Sequence, residues 1–201
     1  GEDNSVTLRI QADGPARNLI AVSDSRGNVR GCVDNPVVEL ELNQFGKLDV
    51  SGAVGKNGML YVVKDLGLKE PYVGQVPLVS GEIAEDITNY FAVSEQIPTV
   101  CGLGVLVNPN LTVQAAGGFL VQLLPGASEE TIARLEENVR SLEPVSKMLA
   151  NGSTPQQIAF RVLDGFVPQV LDEFNTEYRC DCSRERVERA LLSMGRGELE
   201  D

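Results

Sequence analysis

Four cysteines and no histidine set the chemistry open to this chain of 201 residues. Two of the four share one short motif, Cys180-Asp181-Cys182, in a polar stretch between Arg179 and Arg184 and just ahead of a helical pattern. Ser183 is placed to cap that helix, whose apolar face carries Val187, Ala190, Leu191 and Met194 and whose terminator is Gly195. A helix N-terminus and neighbouring guanidinium groups favour thiolate over thiol, so Cys180 and Cys182 are expected to be acidic and reactive. Such a pair can be half of a Cys₄ zinc site, a redox-active dithiol, or each in turn. The bland alternative is two incidental cysteines. A tetrahedral zinc shell takes four ligands, and Asp181 and Glu185 are poor oxygen substitutes for thiolates. The motif therefore raises the expectation of a second cysteine pair beyond Asp201.

Elsewhere the residue types argue mainly by exclusion. Without histidine, Ser-His-Asp and Cys-His catalysis cannot be assembled within the chain, and the commonest zinc ligand is missing. Cys32 and Cys101 stand alone on apolar segments and are expected to be small buried hydrophobes. Gly102, Gly104, Gly117 and Gly118 lack the spacing of a nucleotide-binding loop and no helix follows them; close backbone approach is their better explanation. No carboxylate pair stands out in a motif. The formal net charge of -12 favours solubility and opposes contact with a phosphate backbone, so no nucleic-acid partner is expected. No apolar run approaches the roughly 18 residues of a membrane span and no secretory signal is visible. The sequons at Asn110 and Asn151 are then chance matches, and a cytoplasmic location is expected.

The elements that must position these residues fall into an α+β (α/β mixed) arrangement. Alternation places Val6, Leu8 and Ile10 on one face of a first strand. Further strands are expected over 19–23, 29–33, 37–42, 59–64 and 72–79, punctuated by turns such as Asp13-Gly14-Pro15 and Arg26-Gly27-Asn28. Ser80 is expected to cap a helix running to about Ser94, with Ile83, Ile87, Tyr90 and Phe91 on its inner face. Residues 100–107 and 111–124 make a long hairpin. From residue 128 the apolar period becomes helical: Ser128 caps a helix with Ile132, Leu135, Val139 and Leu142 inward, ended by Pro144. A short helix through Met148 follows, then a capping box at Thr154-Pro155-Gln156-Gln157. This gives a β-rich domain over 1–127, a helical connector over 128–178 and a cysteine-bearing tail over 179–201.

Several stretches, in order, also carry a likeness. They are Val63-Lys64-Asp65-Leu66-Gly67, Gly74-Gln75-Val76 leading to Val79-Ser80-Gly81-Glu82-Ile83, and Ser94-Glu95-Gln96-Ile97-Pro98. They continue with Gly104-Val105-Leu106-Val107-Asn108-Pro109, Ala115-Ala116-Gly117-Gly118-Phe119, Gln122-Leu123-Leu124-Pro125-Gly126 and Cys180-Asp181-Cys182-Ser183-Arg184-Glu185-Arg186. In these the chain resembles the bacterial redox-regulated heat-shock holdases, the thirty-three-kilodalton chaperonins. The resemblance implies a substrate-binding domain, a helical linker and a zinc-binding redox switch that joins a C-x-C to a later C-x-x-C. Cys180 and Cys182 match the first pair; the second pair and an N-terminal segment are expected outside this sequence. It further implies unfolded or misfolded client proteins as partners, a homodimer when active, no nucleotide and no enzymatic activity. A chain with half the switch is expected to protect a client even when reduced. Two rival functions use the same residues: a thiol-disulfide oxidoreductase working through Cys180 and Cys182, and a zinc-bearing interaction module without chaperone activity.

Overall fold

The computed structural model describes residues 4–180 and 182–193. Eight strands and six helices alternate along it. β1 (Ser5–Ala12), β2 (Asn18–Asp24) and β3 (Asn28–Val33) form an antiparallel meander, and β4 (Gly58–Asp65) and β5 (Tyr72–Pro77) extend it on the other side of β1. The order is β5-β4-β1-β2-β3-β8, where β8 (Glu177–Tyr178) is a two-residue strand lying parallel to β3. A short helix α1 (Val50–Val54) seals one end of this sheet. β6 (Thr99–Val107) and β7 (Val113–Gln122) form a separate antiparallel hairpin.

The turns follow from local chemistry. Asp24 accepts hydrogen bonds from the amides of Arg26 and Asn28 at 2.9 and 3.0 Å and from Asn28 Nδ2 at 2.8 Å. Gly27 completes that turn at φ +83°, a conformation that costs glycine least. The alternating apolar residues of β1 and β4 turn inward: Ile10, Leu60 and Val62 join Val54, Val76, Leu78 and Tyr90 in the first core.

α2 (Ile83–Tyr90) crosses the sheet and widens into a π-helical turn over Phe91–Glu95, closed by Gln96 at φ +57°. Its N-cap is Glu82, not Ser80 as the sequence suggests. Gly81 takes a positive φ between the two, leaving the Ser80 hydroxyl to accept from the Glu82 amide at 3.1 Å. The entry to the helix is held instead by the fully buried Asp86, whose Oδ1 accepts from the amides of Val79 and Ser80 at 2.7 and 3.3 Å.

The second core lies beyond the hairpin. α3 (Glu129–Ser141) is capped by Ser128 as expected, and α5 (Pro155–Val162) has the full capping box of Thr154 and Gln157. Between them α4 (Val145–Ala150) begins at Pro144, which therefore opens a helix as well as closing the previous connection. Leu135, Val145, Met148, Ile158 and Val162 are buried together, with Phe119, Val121 and Leu123 of the hairpin strand and its exit packed against them. The hairpin glycines make this close approach possible. A Cβ at Gly104 would stand 2.7 Å from the Ser146 amide nitrogen, and one at Gly117 2.6 Å from Leu149 Cδ1. Their role as backbone seats, expected from spacing alone, is thus borne out.

One expected strand is absent and two elements were unannounced. Residues 37–42 alternate like a strand but form none, and Val37, Leu40 and Leu42 are exposed. Alternation makes a strand only where a neighbour offers a ladder, and the outer edge of β3 is met by β8 instead. α1 and β8 carry no periodic signal of their own and are visible only in the structure.

Candidate redox switch

Cys180 and Cys182 lie where the chain leaves the sheet. After α5 the backbone runs over residues 163–176 with no helix or strand, and Val167, Leu171 and Phe174 stand exposed along it, Val167 at 99%. Two amides then fasten the tail to β3: Glu177 donates to the Gly27 carbonyl at 3.3 Å and Arg179 to that of Val29 at 2.9 Å. Tyr178 lies along the same edge, its hydroxyl donating to the Gly31 carbonyl at 3.1 Å. Gly27 abuts the Asn175 carbonyl so closely that an added Cβ would come within 2.7 Å of it.

Both cysteines are exposed; Cys180 follows directly on Arg179 of this seam, and Cys182 stands two residues before α6 (Arg184–Ser193). The helix starts where Ser183 predicted, and the Val187 amide donates to the Ser183 carbonyl at 3.1 Å. Its expected inner face has no cover among the described side chains: Val187 is 54% exposed and Leu191 45%. Met194 and Gly195, and with them the predicted terminator, lie outside the described residues, as does Asp181. The two arginines expected to favour thiolate each have a carboxylate neighbour. Arg184 Nε donates to Glu188 Oε1 at 2.7 Å, and Arg179 stands 3.5 Å from Glu177. Part of their positive charge is thereby offset.

The donor set can be weighed directly. Thiolate sulfur suits zinc, but no group of three or more potential metal-binding side chains is gathered among the described residues. Cys180 and Cys182 fit such an ion in kind and supply two donors of the four. The other cysteines do not assist. Cys32 is exposed on β3 and Cys101 is half-buried on β6, so neither is the fully buried hydrophobe the sequence led us to expect. The sheet face that Cys32 occupies is open, because its cross-strand partner Ile20 is itself only half-covered. Burial pushes the Cys101 thiol upward.

Sequence reasoning missed two further features. A cavity of about 520 Å³ lies between sheet, α2 and hairpin, lined by Val6, Leu8, Val62, Phe91, Leu103 and Phe119 among others. At its side Lys64 Nζ donates to Glu95 Oε1, which also accepts from the Tyr90 hydroxyl at 2.7 Å. Burial pushes the Glu95 carboxyl up, but the hydrogen bonds from Lys64 and then Tyr90 outweigh it and hold the group below its ordinary value. Burial and the same carboxylate push the Tyr90 hydroxyl well above the usual phenol range. The π turn brings Glu95 back to Lys64, and no sequence spacing announces that.

The profile of the Hsp33 protein family matches residues 1–201, the whole chain. The chain belongs to the Hsp33 family. Its curated relatives agree: it is 50% identical over 199 residues to the 33 kDa chaperonin of Geobacillus kaustophilus, covering 99% of this chain and 68% of that protein. Against the 33 kDa chaperonin of Clostridioides difficile the identity is 52% over 198 residues, covering 98% and 68%. The crystal structure of the 33 kDa chaperonin from Thermotoga maritima superposes with a TM-score of 0.89 at 46% identity, over all of this chain and 68% of that one. As an Hsp33 protein the chain is a heat-shock chaperone, and redox regulation fits its family. The mixed α+β fold expected from the sequence is the fold of that relative.

Proposed function

We propose that this Hsp33 chain is a holdase that keeps unfolding proteins from aggregating, with Cys180 and Cys182 as its redox switch. The single observation that carries this reading is the seam. Cys180 and Cys182 follow within four residues of a two-residue strand that, with the Arg179 amide, fastens a long, apolar, irregular segment to the sheet edge. A net hydrogen bond contributes about 0.5–1.5 kcal/mol, so the bonds from the Glu177 and Arg179 amides and the Tyr178 hydroxyl together contribute on the order of 2–5 kcal/mol. A local change at the cysteines is enough to release a contact this weak, whereas it could not unfold either core.

In this reading residues 1–127 bind clients, 128–178 are the connector, and 179–201 begin the switch domain. Oxidation joins Cys180 Sγ to Cys182 Sγ. The two thiol protons and two electrons pass to a peroxide, which leaves as two waters. Closing an i, i+2 disulfide bends the backbone at the end of β8 and strips Arg179 from Val29. The connector then loosens, and the hairpin face beneath α4 joins Val167, Leu171 and Phe174 in offering apolar surface to a partly unfolded partner. A zinc ion, with Cys180 and Cys182 among its ligands and two further donors from outside the described residues, would stabilise the reduced pair as thiolates. We further propose a homodimer as the active form and the cytoplasm as the compartment. Among the described residues no helix is long and apolar enough to cross a membrane.

Light scattering from a heat-denatured client tests the assignment. The 201-residue chain, whose cysteines cannot complete a four-thiolate shell, is expected to suppress aggregation at near-stoichiometric ratios even when reduced. Protection only after peroxide would count against the connector as the cover. Catalytic reduction of a test disulfide, abolished by Cys180→Ser, would move the assignment to the oxidoreductase reading. Binding to one defined partner with no protection of unfolded clients would favour a zinc-bearing interaction module.

A further inference from the structure

One edge of the β6–β7 hairpin is unclaimed, although it carries what a further strand needs. The strand register and the bond from the Leu123 amide to the Pro98 carbonyl at 3.0 Å fix which backbone groups face inward. Pairs alternate along an antiparallel ladder, so Gly102 exchanges bonds with Phe119, and Gly104 with Gly117. Between these pairs, Cys101 and Leu103 on β6 and Ala116, Gly118 and Leu120 on β7 direct their amides and carbonyls away from the partner strand. On the β6 side α2 meets this outer row, and the Cys101 amide donates to Thr88 Oγ1 at 3.2 Å. On the β7 side no strand takes it up among the described residues, and Ala116, Gly118 and Leu120 are exposed.

Proteins guard such an edge with charge, proline or a bulge. β7 has neither charge nor proline, and no charged side chain occurs anywhere from Gln96 to Ser128. The shift in register falls at Leu106/Val107, near the hairpin tip and away from these amides. In a chain of net charge -12, the edge is thus open to apolar, weakly charged polypeptide. Leu103, Gly118 and Leu120 also line the cavity of about 520 Å³. Residues of an added strand that stand opposite Ala116, Gly118 and Leu120 would share that face. Every second side chain of such a strand therefore comes to the cavity side.

We propose that the outer edge of β7 is the client-docking site, taking an extended, apolar, weakly charged segment of an unfolding protein as a third strand. This rests on the reading of the chain as a holdase. Backbone pairing supplies the affinity, and the cavity favours apolar side chains at alternate positions. A ladder reads backbone and not sequence, so one edge serves many clients. A folded protein has its amides already paired and is refused.

The probe is a blocked, fluorescent peptide of alternating valine and threonine. A second version is N-methylated at its two central residues, which removes a donor from each of its edges. The first peptide is expected to bind the reduced 201-residue chain and to slow amide exchange selectively at Ala116, Gly118 and Leu120. N-methylation should weaken binding about tenfold, the loss of one or two backbone hydrogen bonds. Ala116→Pro removes an outward donor and should do the same. Ala116→Lys keeps that donor but guards the edge with charge, and should weaken binding at an unchanged thermal midpoint. Equal affinity for the methylated peptide or in Ala116→Lys overturns the proposal, as does binding that leaves the three amides unslowed. Slow exchange at these amides before peptide is added, deepening with protein concentration, gives the edge to a second copy and also overturns it. Protection of a heat-denatured client without binding of the peptide overturns the docking site alone. Neither protection nor binding overturns the holdase reading itself.

Discussion

Glu95 shows how one residue ties the sheet to the helix above it. Its carboxylate accepts from Lys64 on β4 and from Tyr90 at the end of α2, so Glu95→Ala leaves a half-buried ammonium and a buried phenol without their shared acceptor. A polar group stranded in this way costs about 1–3 kcal/mol. Scanning calorimetry should therefore show a loss of several degrees, at about 2–4 °C per kcal/mol for a chain of this size. The pH dependence has a definite sign. The folded carboxyl lies below its ordinary value of 4.5, so its stabilising contribution is complete above that value and fades as pH falls through the folded one. Acid unfolding of the parent should steepen there, and Glu95→Gln should lack that component. None of this was legible beforehand, because Lys64 and Glu95 belong to different elements and meet only through a π turn. The reactive pair was legible, since Cys180 and Cys182 announce themselves by spacing alone. The exposure of Cys32 was not, because an alternating strand does not reveal which of its faces is covered.

At the scale of elements, glycine and capping residues decide how firmly the helical unit sits. Gly104 lets the start of α4 approach β6 until the Ser146 amide lies where a methyl would be. Backbone cannot swing aside as a side chain can. Gly104→Ala should therefore lift α4 from the hairpin, increase binding of an apolar dye by the reduced chain and raise its protection of clients. Dye binding no higher than the parent's would show that the helix yields without uncovering the hairpin. Thr154→Ala removes one side of a reciprocal cap and should cost about 1 kcal/mol, seen as faster amide exchange confined to the first turn of α5. These helices could be read from sequence because periodicity and caps are local properties. β8 could not, because two residues carry no period and owe their conformation wholly to β3. The failed strand over 37–42 is the converse, a correct local pattern without a neighbour.

For the molecule as a whole, two separate cores and a tail held by a thin seam suggest unequal resistance to unfolding. The sheet core of Leu60, Val76 and Tyr90 and the helical core of Met148, Ile158 and Val162 each bury their largest side chains almost completely. The run from 163 to 180 buries almost none of its apolar residues. Hydrogen exchange should accordingly find the amides of Glu177 and Arg179 opening many-fold faster than those of β1 and β4, in the reduced chain and without denaturant. Equal protection would mean that the seam is not the weak point. Placing β8 beside β3 also has a consequence during synthesis. The amides and carbonyls at the outer rim of β3 leave the ribosome long before residues 177–178 are made, and until then that rim is an unpaired ribbon to which any extended peptide could add. A nascent chain stalled short of residue 177 should therefore self-associate more readily than one released after it.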